Sequence, residues 1–318
     1  MTLIGRLLLA VALAAAAAAH AQPFAKPVRI FVGASPGGTT DTLARAIAPE
    51  MSKALGTPVI VENRPGAGGN LAAEAVAKSP PDGQTLLVAF TSHTINATLY
   101  PKLPFDPVED FTPITMIATV PSLLVGNAAL PPKDLKELLA YAKARPGKLN
   151  FAIGGVGSSL HMAGDLLKMQ TGVFIVNIPY KGSSPALTDV VGGQVELMFV
   201  SVVVGLPHVK AGKLRAYGVT SAKRLPQLPD VPAIAEVVPG FESNAWFGLF
   251  GPARLPAALT KALHEAAVRA IQSPELRKRL EAEGAQPVGN SPAEFARFVR
   301  DDVKKWTPVV KFSGAKPE

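Results

Sequence analysis

The 318-residue chain contains no cysteine. Thiol catalysis, cysteine-ligated zinc and iron–sulfur clusters are therefore excluded, and its stability rests on a packed core without disulfides. Aromatic residues are sparse, at 6%, and charged residues make up only 18%. The formal charge is +8, but Lys and Arg are scattered and no basic run is interleaved with stacking rings. That pattern argues against nucleic acid, whereas a mild positive field would help gather small anions. Long apolar runs are scarce as well. The run from Leu7 to Ala19 falls short of the roughly 20 residues a membrane-spanning helix needs. With Arg6 before it and Ala19-His20-Ala21 after it, residues 1–21 read as an export signal cleaved after Ala21.

What the chain does have is a repeated strand, glycine-rich turn and helix. Val28 to Val32 reads as a buried strand, followed by Gly33-Ala34-Ser35-Pro36-Gly37-Gly38-Thr39-Thr40-Asp41. A helix comes next, with Leu43, Ile47, Met51 and Leu55 on one face. Thr39, Thr40 or Asp41 can cap that helix. Pro58 to Glu62 predicts a second strand, the turn through Gly66-Ala67-Gly68-Gly69 leads to a helix over Leu71 to Lys78, and Thr85 to Phe90 predicts a third strand ending at Thr91-Ser92-His93-Thr94. Continuous apolar strands alternating with helices predict a parallel sheet covered on both faces.

Phe111 to Val125, broken by Pro113 and Pro121, is expected to be a connection between two domains. A second series then runs through a strand at Leu149 to Ile153, the turn Gly154 to Ser159 and a helix ending at Thr171-Gly172. A strand at Phe174 to Ile178, the turn Tyr180-Lys181-Gly182, and strands over Val195 to Val204 and Leu214 to Thr220 follow. Four prolines between 225 and 240 mark a loop-rich return to a strand at Ala245 to Gly251. Ser291-Pro292-Ala293-Glu294 is a capping box opening a final helix. The expected organisation is α/β in two hinged lobes with parallel-rich sheets flanked by helices. Residues 22–121 and 241–318 form the first lobe, and 122–240 form an inserted second.

Two glycine-rich turns in matching positions, Ser35 to Thr40 and Gly154 to Ser159, suggest paired anion cradles. Their exposed N–H groups and the positive ends of the following helices favour a carboxylate. Gly38, Thr40, Gly157, Ser158 and Ser159 are the expected donors; Ser35, Gly37, Asp41, Thr91 and Ser92 lie in the same strand-end loops. Tyr180 and Lys181 sit on another such loop, where Lys181 reads either as a ligand cation or as a surface residue. Ser158 and His161 are three apart on one helix, which leaves an exported hydrolase as an alternative. No G-x-S-x-G elbow is present, and neither glycine turn matches a dinucleotide fingerprint or a P-loop. The histidines show no metal-ligand spacing, and no cofactor or metal is expected.

The ordered set Pro36-Gly37-Gly38-x-x-Asp41, Glu62-Asn63-Arg64-Pro65-Gly66-Ala67-Gly68-Gly69, Pro81-Asp82-Gly83-x-Thr85-Leu86, Leu99-Tyr100-x-Lys102-Leu103-Pro104-Phe105-Asp106, Gly157-Ser158-Ser159-x-His161, Pro179-Tyr180-Lys181-Gly182 and Pro229-Asp230-Val231-Pro232 spans nearly the whole chain. It resembles the periplasmic substrate-binding proteins of tripartite tricarboxylate transporters, the Bug family. The resemblance implies a type II periplasmic binding protein that closes on a small organic carboxylate and hands it to the membrane permease subunits. The expected form is a monomer, with a signalling receptor as the alternative partner. His161 joins the candidate ligand residues on this ground. Family members often carry Asp directly after the Met-Phe of one strand. Here Met198-Phe199 is followed by Val200-Ser201, which leaves Ser201 as the polar candidate and disfavours an amino-acid ligand.

Overall fold

The computed structural model describes Phe24, residues 26–282 and residues 284–317; the expected export signal lies outside the described residues. Two mixed sheets organise the chain. The first has strand order β11-β4-β10-β3-β1-β2, with β1 (Val28–Val32), β2 (Val59–Asn63) and β3 (Thr85–Phe90) parallel. β4 (Phe111–Val120), β10 (Ala245–Pro252) and the short β11 (Gln286–Pro287) complete it antiparallel. The second has order β7-β6-β8-β5-β9. In it β6 (Asn150–Ile153), β7 (Val176–Pro179) and β8 (Leu197–Ser201) are parallel, while β5 (Ser122–Asn127) pairs antiparallel with both β8 and β9 (Leu214–Val219).

The segment expected to pass from one domain into the other consists of two strands, one in each sheet. Pro121 separates them. Lacking an N–H, it cannot continue the ladder of β4, so the chain leaves one sheet there and enters the other. The return crossing lies beside it. Ser122 N–H donates to Thr220 Oγ1 at 2.8 Å, Thr220 N–H donates to Ser122 O at 2.9 Å, and Ser243 N–H donates to Thr220 O at 3.1 Å. Both passages therefore meet at one hydrogen-bonded seam. The strand expected over 195–204 ends at Ser201, where Ser122 pairs with it, and Val202–Lys210 is helical.

The helices follow their sequence signals closely. Residues Thr39–Leu55 form α1, which buries Leu43, Ile47, Met51 and Leu55. Asn70–Ala77 is α2 and Leu135–Lys143 is α4, the latter capped by Asp134. Ser159–Thr171 is α5, ended by Gly172 in the left-handed region, and Ser183–Val191 is α6. Val202–Lys210 is α7, Ala257–Gln272 is α8 and Pro274–Ala282 is α9. Pro292–Ser313 is α10, opened by the Ser291–Glu294 capping box.

One further helix, α3 (Ser92–Leu99), begins where only a polar strand end was expected. It belongs in sequence to the first sheet, yet Ile95 and Leu99 pack in the second sheet's core with Leu166 and Phe199. Trp306, Val309 and Val310 of α10 join them there. Side chains buried this completely each contribute about 1.5–3 kcal/mol. Asp302 of α10 fixes the arrangement, its Oδ2 accepting from Thr94 Oγ1 at 2.6 Å and Trp246 Nε1 at 2.7 Å.

Candidate functional site

Because β1, β2 and β3 are parallel, the turns that follow them share one edge of the first sheet. The turns after β6, β7 and β8 likewise share one edge of the second. Such edges are where ligands bind in open α/β sheets.

The turn after β2 has an unusual backbone. Gly66, Ala67, Gly68 and Gly69 all have positive φ, at 131°, 48°, 63° and 97°. Glycine is needed at 33 because the chain there lies against this turn: a Cβ on Gly33 would stand 2.6 Å from Gly69 Cα. The Asn96 side chain of α3 supports this turn, donating to Gly68 O at 3.3 Å and to Asn70 Oδ1 at 2.8 Å.

The turn after β6 is held from within its own lobe. Ser158 caps α5, its Oγ accepting from His161 N–H at 3.2 Å. Gly157 N–H donates to His161 Nδ1 at 3.0 Å, which places the ring proton on Nε2, 3.0 Å from Asp165 Oδ2. Lys168 Nζ contacts Asp165 Oδ1 at 2.5 Å and donates to Asn177 Oδ1 at 2.9 Å. Burial pushes the Asp165 carboxyl up, but the His161 and Lys168 contacts outweigh it and hold the group below the usual carboxylate range. A buried charge network thus fixes the orientation of His161, and His161 fixes the turn.

Between these two turns lies a cavity of about 280 Å³. Ala67 and Gly68 line one side and Val156, Gly157 and Ser158 the other. Ser92, Asn96, Leu99 and Tyr100 line it along α3, and Pro317 lines it as well. Among the described residues no lining side chain carries a formal charge. The start of α5 reaches the cavity through the cap Ser158, while α3 and its C-cap lie along it from Ser92 to Tyr100. The amino end of α5 and the Ser92 and Ser158 hydroxyls suit an anion that need not be neutralised by a fixed cation.

Of the residues singled out from sequence, the structure brings Ser92, Gly157 and Ser158 to this cavity. Ser159 follows directly as the first residue of α5, and His161 acts behind the wall by holding Gly157. The turn facing Gly154 to Ser159 across the cavity is Gly66 to Gly69, in place of Ser35 to Thr40. Gly37 N–H donates to Asp41 Oδ2 at 2.9 Å and that of the expected donor Gly38 to Ser35 O at 3.3 Å, so both are engaged, as are those of Gly157, with His161 Nδ1, and Ser158, with Gly155 O at 3.3 Å. Asp41 also accepts from Arg45 and from Asn63, each at 2.9 Å. Burial pushes its carboxyl up, but these contacts hold it below the ordinary range, so an internal carboxylate sits in the first turn of α1. Gly38 is the N-cap of that helix, with no side-chain cap, rather than Thr39, Thr40 or Asp41. Thr40 is buried in the first turn of the same helix.

The remaining candidates are also placed away from the cavity. Thr91 Oγ1 accepts from Trp246 N–H at 2.9 Å. Tyr180 donates its hydroxyl to Asp189 Oδ2 at 2.7 Å, Lys181 is exposed on the turn, and Ser201 ends β8 beside the crossing seam. The sequence reading missed Ala67, Gly68, Asn96, Leu99 and Tyr100. The glycine cluster at 66–69 was the available signal for the first two and the Leu99-Tyr100 motif for the last two; Asn96 carried none, because the placing of α3 depends on long-range packing. Ser158 and His161 do not form a nucleophile and base: the Ser158 oxygen caps the helix and the Nδ1 lone pair already accepts from Gly157 N–H. Among the described residues no group of three His, Cys, Asp or Glu side chains is placed to hold a metal, and no helix is long and apolar enough to cross a membrane.

A family model described as the tripartite tricarboxylate transporter family receptor, TctC, matches residues 43–314. Three solved structures are similar over nearly the whole fold. Rpa4515 of R. palustris, solved with adipate, is 37% identical with a TM-score of 0.78, covering 92% of this chain and 99% of that one. MatC of Rhodopseudomonas palustris, solved with bound malate, is 38% identical with a TM-score of 0.75, covering 90% and 99%. The periplasmic binding protein BugD is 33% identical with a TM-score of 0.76, covering 93% and 100%. The expected two-sheet periplasmic-binding-protein fold is thereby borne out, with sheets that are mixed where they were expected to be mainly parallel.

Proposed function

The chain belongs to the TctC family of tripartite tricarboxylate transporter receptors and is a binding protein rather than an enzyme; on that premise we propose that it captures a small linear dicarboxylate between the Gly66–Gly69 and Val156–Ser158 turns. The observation that carries this reading is the cavity between these turns, which has no charged side chain in its described lining and which the amino end of α5 reaches. The adipate and malate held by its structural relatives supply the ligand class.

The mature protein acts in the periplasm after cleavage behind Ala21, as a monomer, and passes its ligand to the permease subunits of a tripartite tricarboxylate transporter. Its lobes divide at 121/122 and 240/241, and closure pivots on the seam formed by Ser122, Thr220 and Ser243. The absence of an acid after Met198-Phe199 favours a ligand without an amino group.

A thermal-shift and calorimetry series with mono-, di- and tricarboxylates tests the reading. A dicarboxylate present at 100 times its Kd raises stability by about 2.7 kcal/mol and is recovered unchanged. No shift with any of these acids at millimolar concentration overturns the proposal.

A further inference from the structure

The segment after α10 reaches the ligand cavity, although nothing in its sequence marks it as part of a site. Gly314, at φ 62°, ends the helix in the left-handed region and turns the chain. Ala315 N–H then donates to Ser313 Oγ at 3.0 Å, and Ala315 packs against the second sheet's core. Trp306, Val309 and Val310 of the last helical turns are buried in that same core, so the launching point of the segment is fixed. Two residues on, Pro317 lines the cavity together with two turns of small residues, Ala67-Gly68 and Gly157-Ser158.

We propose that Ala315 to Pro317 form an end wall of the cavity and that Pro317 sets the chain length of the dicarboxylate it holds. The inference rests on the ligand reading above. Proline suits a wall because its ring fixes φ, and so the direction of the chain, without a hydrogen bond. Leu99, Tyr100 and Val156 supply the other bulky surfaces, but Leu99 is embedded in the core and cannot yield. Pro317 is exposed on its outer side and can be enlarged or removed without disturbing packing.

The test is isothermal calorimetry of the full chain with succinate, glutarate, adipate and suberate, using the parent protein, Pro317→Gly and Pro317→Trp. In Pro317→Gly the preference moves toward the longer acids by about tenfold, the lower end of what one methylene is worth in a shaped pocket. In Pro317→Trp it moves toward succinate by a similar factor. Melting temperatures without ligand stay the same in all three proteins. If the parent binds the series and both variants keep its length profile, the wall assignment is overturned while the ligand reading stands. If the parent binds none of the four acids, the ligand reading falls and takes the wall with it.

Discussion

Gly157 lies so close to Leu99 that a Cβ added at 157 would stand 2.3 Å from the Leu99 Cδ2. The contact joins the turn after β6 to a helix that follows β3, and so joins the two sheets at the cavity. Gly157 also has φ 74°, which a side chain rarely adopts. Gly157→Ala is expected to destabilise the fold by at least about 1–2 kcal/mol and to abolish ligand binding. Adding Leu99→Ala to it removes the clash, so urea denaturation of the double variant should show less loss than the sum of the single changes. Strict additivity would mean that the two residues do not press on one another.

Asn96 places its amide at the cavity wall while supporting the Gly68 turn. Asn96→Asp keeps the shape, removes a donor and sets a negative charge where the ligand's own charge must lie. Affinity for any dicarboxylate should fall at least about tenfold, the equivalent of roughly 1.4 kcal/mol. Calorimetry beside an Asn96→Ala control separates the charge effect from the lost hydrogen bond: the Asp variant must bind more weakly than the Ala variant.

His93 is packed among Phe105, Phe111 and Phe250, and burial lowers its pKa to about 4. Its Nε2 lies 2.9 Å from Pro107 O. Between the ordinary pKa near 6.5 and this value the unfolded chain binds the extra proton, so stability is full above about pH 6.5 and declines as the pH falls toward 4. The contribution lost across that window is about 3 kcal/mol. Denaturant titrations from pH 4 to 7 should show a shallower acid slope in His93→Gln than in the parent. An unchanged slope would place the titration elsewhere.

Thr220 Oγ1 accepts from Ser122 N–H at 2.8 Å and lies 3.1 Å from Asn244 Oδ1, to which it donates, bridging both crossings between the sheets. Thr220→Val preserves volume but leaves the Ser122 N–H without its partner. Stability should fall by about 1–3 kcal/mol. Stopped-flow measurement of ligand release should show a changed rate if this seam is the pivot, and an unchanged rate if it serves stability alone.

Local features were legible in the chain because they depend on neighbours in sequence. The Ser291–Glu294 capping box, the left-handed Gly172 after α5 and the apolar face of α1 all form as their residue spacing implies. Phe111 to Val125 was harder, because its apolar residues fit a strand in either sheet; only the missing N–H of Pro121 hinted where the chain changes partners. The candidate site was half legible. Both glycine turns that meet at the cavity stand out in composition, but so does the Ser35–Thr40 turn, which looks alike until Asp41 and Asn63 are seen to occupy it.

Most strands and helices, the glycine turns and the lack of thiol chemistry were written in composition and short-range pattern. Which turns oppose one another, why α3 and α10 belong to the second sheet's core, and how Pro317 comes to the cavity were settled by packing between residues up to about two hundred positions apart. A turn's sequence specifies its backbone shape, but the side chains buried beneath it decide where it faces.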